Sequence, residues 1–314
     1  MDSDQPVDSR EEILGMEYGE ALAIARPFRI MLTRPPQAVC GVGRLRGVGQ
    51  RHESQGWCWV LSYTGCAEGL VTERELLAQL DRSRMPRHIA VIMDGNRRWA
   101  QERRLPVVMG HRAGVKAFRL VMETCRELGI ECLTAYAFSI ENWRRSESEV
   151  RVLMQLFEHY TRAERDKMVR TGICFRTLGR WDDLPASVRT EFDRTREATA
   201  HNRSMMLNLA VNYGGRDEIV RACQKLMQVG SEGRLAAPEA NEELFSTFLD
   251  TADQPDPDLM IRTSGEVRIS NFLLWQTAYT ELYFTPLYWP QVSRTLLLEA
   301  ILEYQHRHRR YGGG

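Results

Sequence analysis

The 314-residue chain has no apolar stretch approaching the roughly 18–20 residues needed to cross a bilayer. It opens on Met1-Asp2-Ser3-Asp4-Gln5, too acidic and polar for a secretory signal. Cys-x-x-Cys is missing, and the seven cysteines (40, 58, 66, 125, 132, 174 and 223) are odd in number and scattered. That pattern fits neither a disulfide framework nor a zinc knuckle. It fits reduced thiols in a cytoplasmic protein, some of them core residues. Net charge is also missing: 42 basic side chains cancel 42 acidic ones, which argues against a general nucleic-acid binder. Gly-x-x-x-x-Gly-Lys-Ser/Thr, a Gly-x-Gly-x-x-Gly after a strand, and a Gly-x-Ser-x-Gly elbow are all lacking. These absences remove the usual nucleotide-binding and serine-hydrolase classes. Histidines 88, 111, 159, 201, 306 and 308 show no metal-ligand spacing at a strand end.

What is present is a globular composition, 43% hydrophobic and 27% charged, enough to bury a core. Residues 1–84 read differently from the rest. Their apolar runs are broken by Arg-Pro-Pro and by repeated Gly-Val-Gly, and one helix is plausible, at Thr72–Leu80. The segment reads as a weakly ordered extension, or as the product of a start placed too far upstream of Met85. Residues 85–314 read as the main folded domain, where any chemistry is to be sought.

From 86 onward strand and helix patterns alternate. Strands are expected at His88–Met93, Glu131–Phe138, Ile173–Leu178, Met205–Val211, Leu259–Arg262 and Glu281–Phe284. Helices are expected at Gly114–Leu128, Ser146–Arg170, Ala186–His201, Arg216–Val229, Glu242–Asp250 and Arg294–Arg309. This order predicts an α/β fold with a mainly parallel sheet flanked by helices on both faces. Such sheets bind ligands beyond the carboxyl ends of their strands.

Residues at those strand ends carry chemistry. Asp94-Gly95-Asn96-Arg97-Arg98-Trp99 joins a carboxylate to a phosphate-friendly turn and two arginines. An aspartate repels phosphate unless a cation lies between them, so the pair suggests Mg²⁺. Ser139-Ile140-Glu141-Asn142-Trp143-Arg144-Arg145 follows the second strand, and Ser146 with Glu149 reads as a capping box. Asn212-Tyr213-Gly214-Gly215-Arg216 follows the fourth. Asp258 to Glu266, then Arg268-Ile269-Ser270, offers a second arginine cluster for a second phosphorylated group. Glu281 could add a carboxylate. Without any family, these residues describe an enzyme that holds two phosphorylated ligands near a divalent ion.

Taken together, the motifs His88–Ala100, Gly110–Gly114, Tyr136–Trp143, Asn212–Arg216 and Ile261–Glu266 resemble the cis-prenyltransferases, in particular undecaprenyl diphosphate synthase and its relatives. The resemblance covers residues 86 to about 310 and leaves residues 1–84 outside. It implies condensation of isopentenyl diphosphate onto an allylic diphosphate, usually farnesyl diphosphate, with new cis double bonds. It further implies that Asp94 binds Mg²⁺ and assists the leaving diphosphate. Gly95, Asn96, Arg97 and Arg98 would hold the allylic diphosphate, with Arg145 in support. Trp99, Trp143 and His111 would border the site, and Ser139, Ile140 and Glu141 would line it. Asn142 matches the position assigned to proton acceptance, although a neutral amide is a poor base. Arg262, Arg268, Ile269 and Ser270 match the isopentenyl diphosphate site, and Glu281 a second Mg²⁺ ligand. Val107 and Val267 depart from the common pattern, which has arginine and histidine there. An apolar tunnel is implied, with small Ala137 on its wall and Met205 at its floor, and a product near undecaprenyl size for the cell-wall lipid carrier. The family also implies a homodimer; a product that must leave into lipid makes peripheral membrane contact reasonable without a spanning helix, and the neutral charge leaves no nucleic-acid partner expected. A different product length, a non-catalytic diphosphate-binding subunit and a diphosphate hydrolase are the competing readings.

Overall fold

In the computed structural model, which describes residues 72–234 and 240–307, six strands form one parallel sheet in the order β3-β4-β2-β1-β5-β6. They are β1 (His88–Ile92), β2 (Cys132–Ser139), β3 (Ile173–Leu178), β4 (Met205–Tyr213), β5 (Leu259–Arg262) and β6 (Glu281–Phe284). All six lie where the apolar runs predict strands. The five residues of β1 are all buried, as expected of a central parallel strand covered on both faces. Its side chains alternate between two cores. Ile89 and Val91 join a large cluster with Val121, Leu153, Phe192 and Leu297. Ala90 and Ile92 join a smaller one with Tyr213, Phe272 and Leu273 on the other face.

The helices are α1 (Glu73–Gln79), α2 (Asn96–Glu102), α3 (Val107–Leu128), α4 (Glu147–Thr171), α5 (Ala186–Thr199), α6 (Gly215–Ser231), α7 (Glu242–Ser246) and α8 (Arg294–His306). Helix α3 begins seven residues earlier than its apolar stripe suggests. Gly110 and Gly114, poor helix formers, lie within it because the head of α2 presses there. A Cβ at Gly110 would stand 2.0 Å from the Asn96 carbonyl oxygen, and one at Gly114 2.4 Å from Asn96 Oδ1.

Residues 72–84, read from sequence as the end of the extension, hold α1. Thr72 and Glu75 form a reciprocal capping box at its start. Leu76 and Leu80 are buried in the large core, and Gln305 of α8 donates to the Asp81 carbonyl at 2.7 Å. The rest of the extension lies outside the described residues. Cys125, Cys132 and Cys174 are free and buried, while Cys223 is free and exposed. Among the described residues, no helix is long and apolar enough to cross a membrane.

From β1 the chain builds β2, β3 and β4 on one side, then crosses to add β5 and β6 on the other. The carboxyl ends of β1 and β5 therefore flank the point where the winding reverses, the favoured ligand position in such sheets.

Candidate active site

Asp94 follows β1 and is fixed from β5. Its N–H donates to Thr263 Oγ1 at 3.1 Å, and the Thr263 hydroxyl donates to the Asp94 carbonyl at 2.7 Å. The Trp289 N–H reaches the same carbonyl at 2.9 Å. These bonds leave the carboxylate free to meet cations. Arg98 donates to Oδ1 at 3.1 Å and Arg262 to Oδ2 at 2.9 Å. Gly95 must be glycine: its φ is +98°, and a Cβ would stand 2.4 Å from Ser264 Oγ.

The two arginines extend into a wider network. Arg98 also donates to Glu266 Oε1 at 3.0 Å, and Arg268 donates to Glu266 Oε2 at 2.5 Å. Burial opposes the Arg98 charge, but Asp94 and Glu266 more than restore it and raise its pKa. The Tyr288 ring lies 5.8 Å from the Arg98 guanidinium. Arg262 is buried. It donates to Ser270 Oγ at 2.7 Å and to the Arg268 carbonyl.

A cavity of about 630 Å³ opens beside Asp94 and runs between α3, α4 and the sheet. Its mouth gathers Asp94, Asn96, His111, Ser139, Glu141, Asn142, Arg145, Arg262 and Ser270. Its depth is apolar, with Ala137, Phe118, Phe157, Leu207 and Leu209 on the walls. Met205, expected at the floor, is not among the lining residues. It begins β4 and packs in the core, and Met122, Met168 and Phe175 line the deep end instead.

Other expected residues stand just outside the cavity. Arg97 projects outward and reaches Glu149 at 3.5 Å. Trp99 is covered by Arg103, 4.6 Å from its ring. Trp143 donates to Asn212 Oδ1 at 2.7 Å and packs its edge on Phe138. Ile140 abuts Gly214, and Ile269 packs on the smaller core. Asn142 Oδ1 is occupied by the Ser139 N–H at 3.1 Å.

Glu281 is not brought to Asp94 within one chain. It opens β6, pairs in register with Leu259, and binds Arg307 at 3.0 Å. Asp94 lies beyond the far end of β1, five register positions or about 16 Å along the strand direction. The physical reason is strand polarity: all strands are parallel, so a strand's first residue and a residue after its neighbour's last sit at opposite rims.

Several residues were missed as site residues. Glu149, read only as a helix cap, collects Arg145 at 2.8 Å and His111 Nε2 at 3.4 Å as well as Arg97. Burial pulls the His111 pKa down, the Glu149 charge opposes this, and Arg145 adds to it. Asn271 donates to Glu141 Oε1 at 3.1 Å and accepts from the Arg216 N–H at 2.9 Å. Burial raises the Glu141 pKa. Bonds from its own backbone, Ser139 and Asn271, with the Arg144 charge, outweigh that and lower it. Thr263 and Glu266 fall inside the Ile261–Glu266 motif but carry no assigned role, and nothing in the local sequence marks Asn271, because the partners of all three lie more than a hundred residues away.

Three buried polar atoms here have no hydrogen-bond partner: Asn96 Oδ1, Arg262 Nε and Ser264 Oγ. Buried polar groups are normally satisfied, so an orphaned set beside a cavity suits a polar ligand. The site thus joins a cationic mouth to an apolar depth, the arrangement of a protein that binds an anionic head and a hydrocarbon tail.

The comparisons agree with that class. Residues 92–312 match a family model described as "Putative undecaprenyl diphosphate synthase". An isoprenyl transferase of Heliobacterium mobile is 48% identical over 241 residues, 77% of this chain and 93% of that protein. Among solved structures, lavandulyl diphosphate synthase from Lavandula x intermedia, in complex with dimethylallyl diphosphate, superposes with a TM-score of 0.72. It is 36% identical and covers 74% of this chain and 100% of that one. A "probable undecaprenyl diphosphate synthase" from Campylobacter jejuni gives a TM-score of 0.61 at 34% identity, over 73% of this chain and 99% of that one. The chain belongs to the undecaprenyl diphosphate synthase family and is a cis-prenyltransferase.

Proposed function

We propose that this prenyltransferase condenses isopentenyl diphosphate onto farnesyl diphosphate repeatedly, giving a long polyprenyl diphosphate near undecaprenyl size. The observation that carries this reading is one cavity with an Asp94–arginine mouth and an apolar depth. A diphosphate at each arginine cluster leaves room in the depth for the growing tail.

In this reading Arg98, Asn96 and the Gly95 turn hold the allylic diphosphate. Arg97, Arg145 and His111, gathered by Glu149, form the outer side of its pocket. Arg262, Arg268 and Ser270 hold isopentenyl diphosphate. The allylic C–O bond breaks, and diphosphate leaves with the electron pair. The isopentenyl double bond attacks the allylic carbon, a proton is lost, and the new double bond closes cis. Asn142 is assigned an orienting role, since its oxygen already accepts from Ser139. The proton goes to a diphosphate oxygen. Fixed cations that meet the leaving charge supply much of the rate, and placement of two reactants supplies the rest.

Mg²⁺ fits this donor set. The described residues hold no group of three or more His, Cys, Asp or Glu that could bind a metal alone. Mg²⁺ commonly takes one or two carboxylates and completes its shell with water and substrate phosphate. Asp94 would be the protein ligand, and the ion would offset charge on the departing diphosphate. A role for Glu281 at the metal then requires a second copy of the chain, consistent with the proposed homodimer. Peripheral membrane contact follows from a product too apolar for water.

The test is incubation with farnesyl diphosphate, labelled isopentenyl diphosphate and Mg²⁺, with extracted products sized. A ladder ending near eleven isoprene units is expected. A single short product, or diphosphate release without isopentenyl diphosphate, overturns the reading.

A further inference from the structure

We infer that Arg119 and Glu164 form a latch across the seam between α3 and α4 that confines the growing chain and sets product length. This rests on the proposed chain elongation in the cavity described above.

Arg119 on α3 and Glu164 on α4 are ion-paired, and both line the cavity. They are the charged members of an otherwise apolar deep section, between Phe118 and Tyr160 above and Met122 and Met168 below. Glu164 lies fifteen residues beyond Glu149 on the same helix, about 22 Å from the mouth. The pair is remote from Asp94 and cannot touch the reacting carbons.

Two features make it more than a surface tie. Arg119 Nε is buried without a partner, so the guanidinium is partly withdrawn from water to hold this position. The side chains are nonetheless 39% and 17% exposed, unlike buried Met122 and Met168. A second bridge, Lys167 to Glu123, crosses the same seam farther on but does not line the cavity. Arg119–Glu164 is thus the inner of two ion pairs that join the helices, and of the two it is the pair that lines the cavity.

A hydrocarbon tail meeting this pair cannot replace its water or its partner, so passing between the helices would separate and desolvate two charges. The tail stays inside and growth stops when the floor at Met122 and Met168 is reached. Without the pair, the tail can part the seam and continue.

The decisive variant is the double replacement Arg119→Leu with Glu164→Leu. Exchanging an ion pair for apolar side chains is often neutral for stability, whereas removing one partner strands the other. Arg119→Lys keeps the charge and serves as a second variant. The purified full-length proteins are given farnesyl and isopentenyl diphosphates, and the first-addition rate, product length and melting temperature are read. We expect the double variant to add the first unit within about twofold of wild type while its most abundant product grows by at least one isoprene unit. Arg119→Lys should keep the wild-type length. Unchanged or shorter products from a folded double variant, or a changed melting temperature with unchanged length, would overturn the latch and leave a structural tie. Failure of the wild type to elongate at all would instead overturn the proposed function beneath it.

Discussion

Arg262 donates to the Asp94 carboxylate at 2.9 Å although 168 residues separate them, and the bond joins the ends of neighbouring strands β1 and β5. Arg98 takes the other oxygen at 3.1 Å. An arginine from each proposed diphosphate site therefore bonds to the same carboxylate.

Arg262 gives the first prediction. Its fork spans Asp94 and Ser270, and a lysine keeps the charge but cannot span both. Arg262→Lys should raise KM for isopentenyl diphosphate by about tenfold or more, with a smaller effect on the KM for farnesyl diphosphate. Steady-state kinetics with each substrate varied in turn check this. Equal shifts in both would mean that Arg262 does not favour one diphosphate.

His88 gives a prediction about pH. It is wholly buried, with Nδ1 2.7 Å from the Pro255 carbonyl and Nε2 2.7 Å from Thr134 Oγ1. Burial pulls its pKa down to about 4, against the partial support of Pro255 and Asp258. The unfolded chain, with an ordinary pKa near 6.5, binds the proton first as pH falls. Stability is thus unaffected by this group above about pH 6.5 and declines as pH falls towards about 4, by on the order of 3 kcal/mol in all. Urea unfolding at several pH values should show the decline, and His88→Gln should flatten it. An equal slope in both proteins would remove His88 as its source.

The N-terminal segment gives a prediction about folding. Leu76 and Leu80 are buried, and burial of each leucine is worth about 1.5–3 kcal/mol. A chain beginning at Thr72 should retain wild-type activity and stability. One beginning at Met85 should be destabilised by roughly 3–6 kcal/mol. Melting curves of the two truncations decide this, and equal melting temperatures would contradict it.

Ala137 lines the cavity wall on β2. Ala137→Leu should shorten the product by several isoprene units while the first addition continues at a comparable rate. Product sizing checks it, and an unchanged ladder would move the path of the tail away from β2.

The sheet was legible because strands buried on both faces leave short apolar runs, as His88–Ile92 does. Asp94, Arg98 and Arg262 were legible as motif residues. Their mutual bonds were not, since spacing along a chain does not reveal which strands become neighbours. Helix α3 was read too short because Gly110 and Gly114 weaken its pattern, and only the press of Asn96 explains them. Glu149 looked like a cap, and its Ser146 bond is present at 3.4 Å, but a buried carboxylate can serve two arginines and a histidine at once. Glu281 was drawn to the metal by resemblance, and strand polarity separates it from Asp94 within one chain.

The most direct test of the account is turnover by Asp94→Ala with farnesyl and isopentenyl diphosphates and Mg²⁺, alongside its circular dichroism and melting curve. The account predicts a folded protein with condensation abolished. Near-wild-type turnover in that folded variant would contradict the central place given to Asp94.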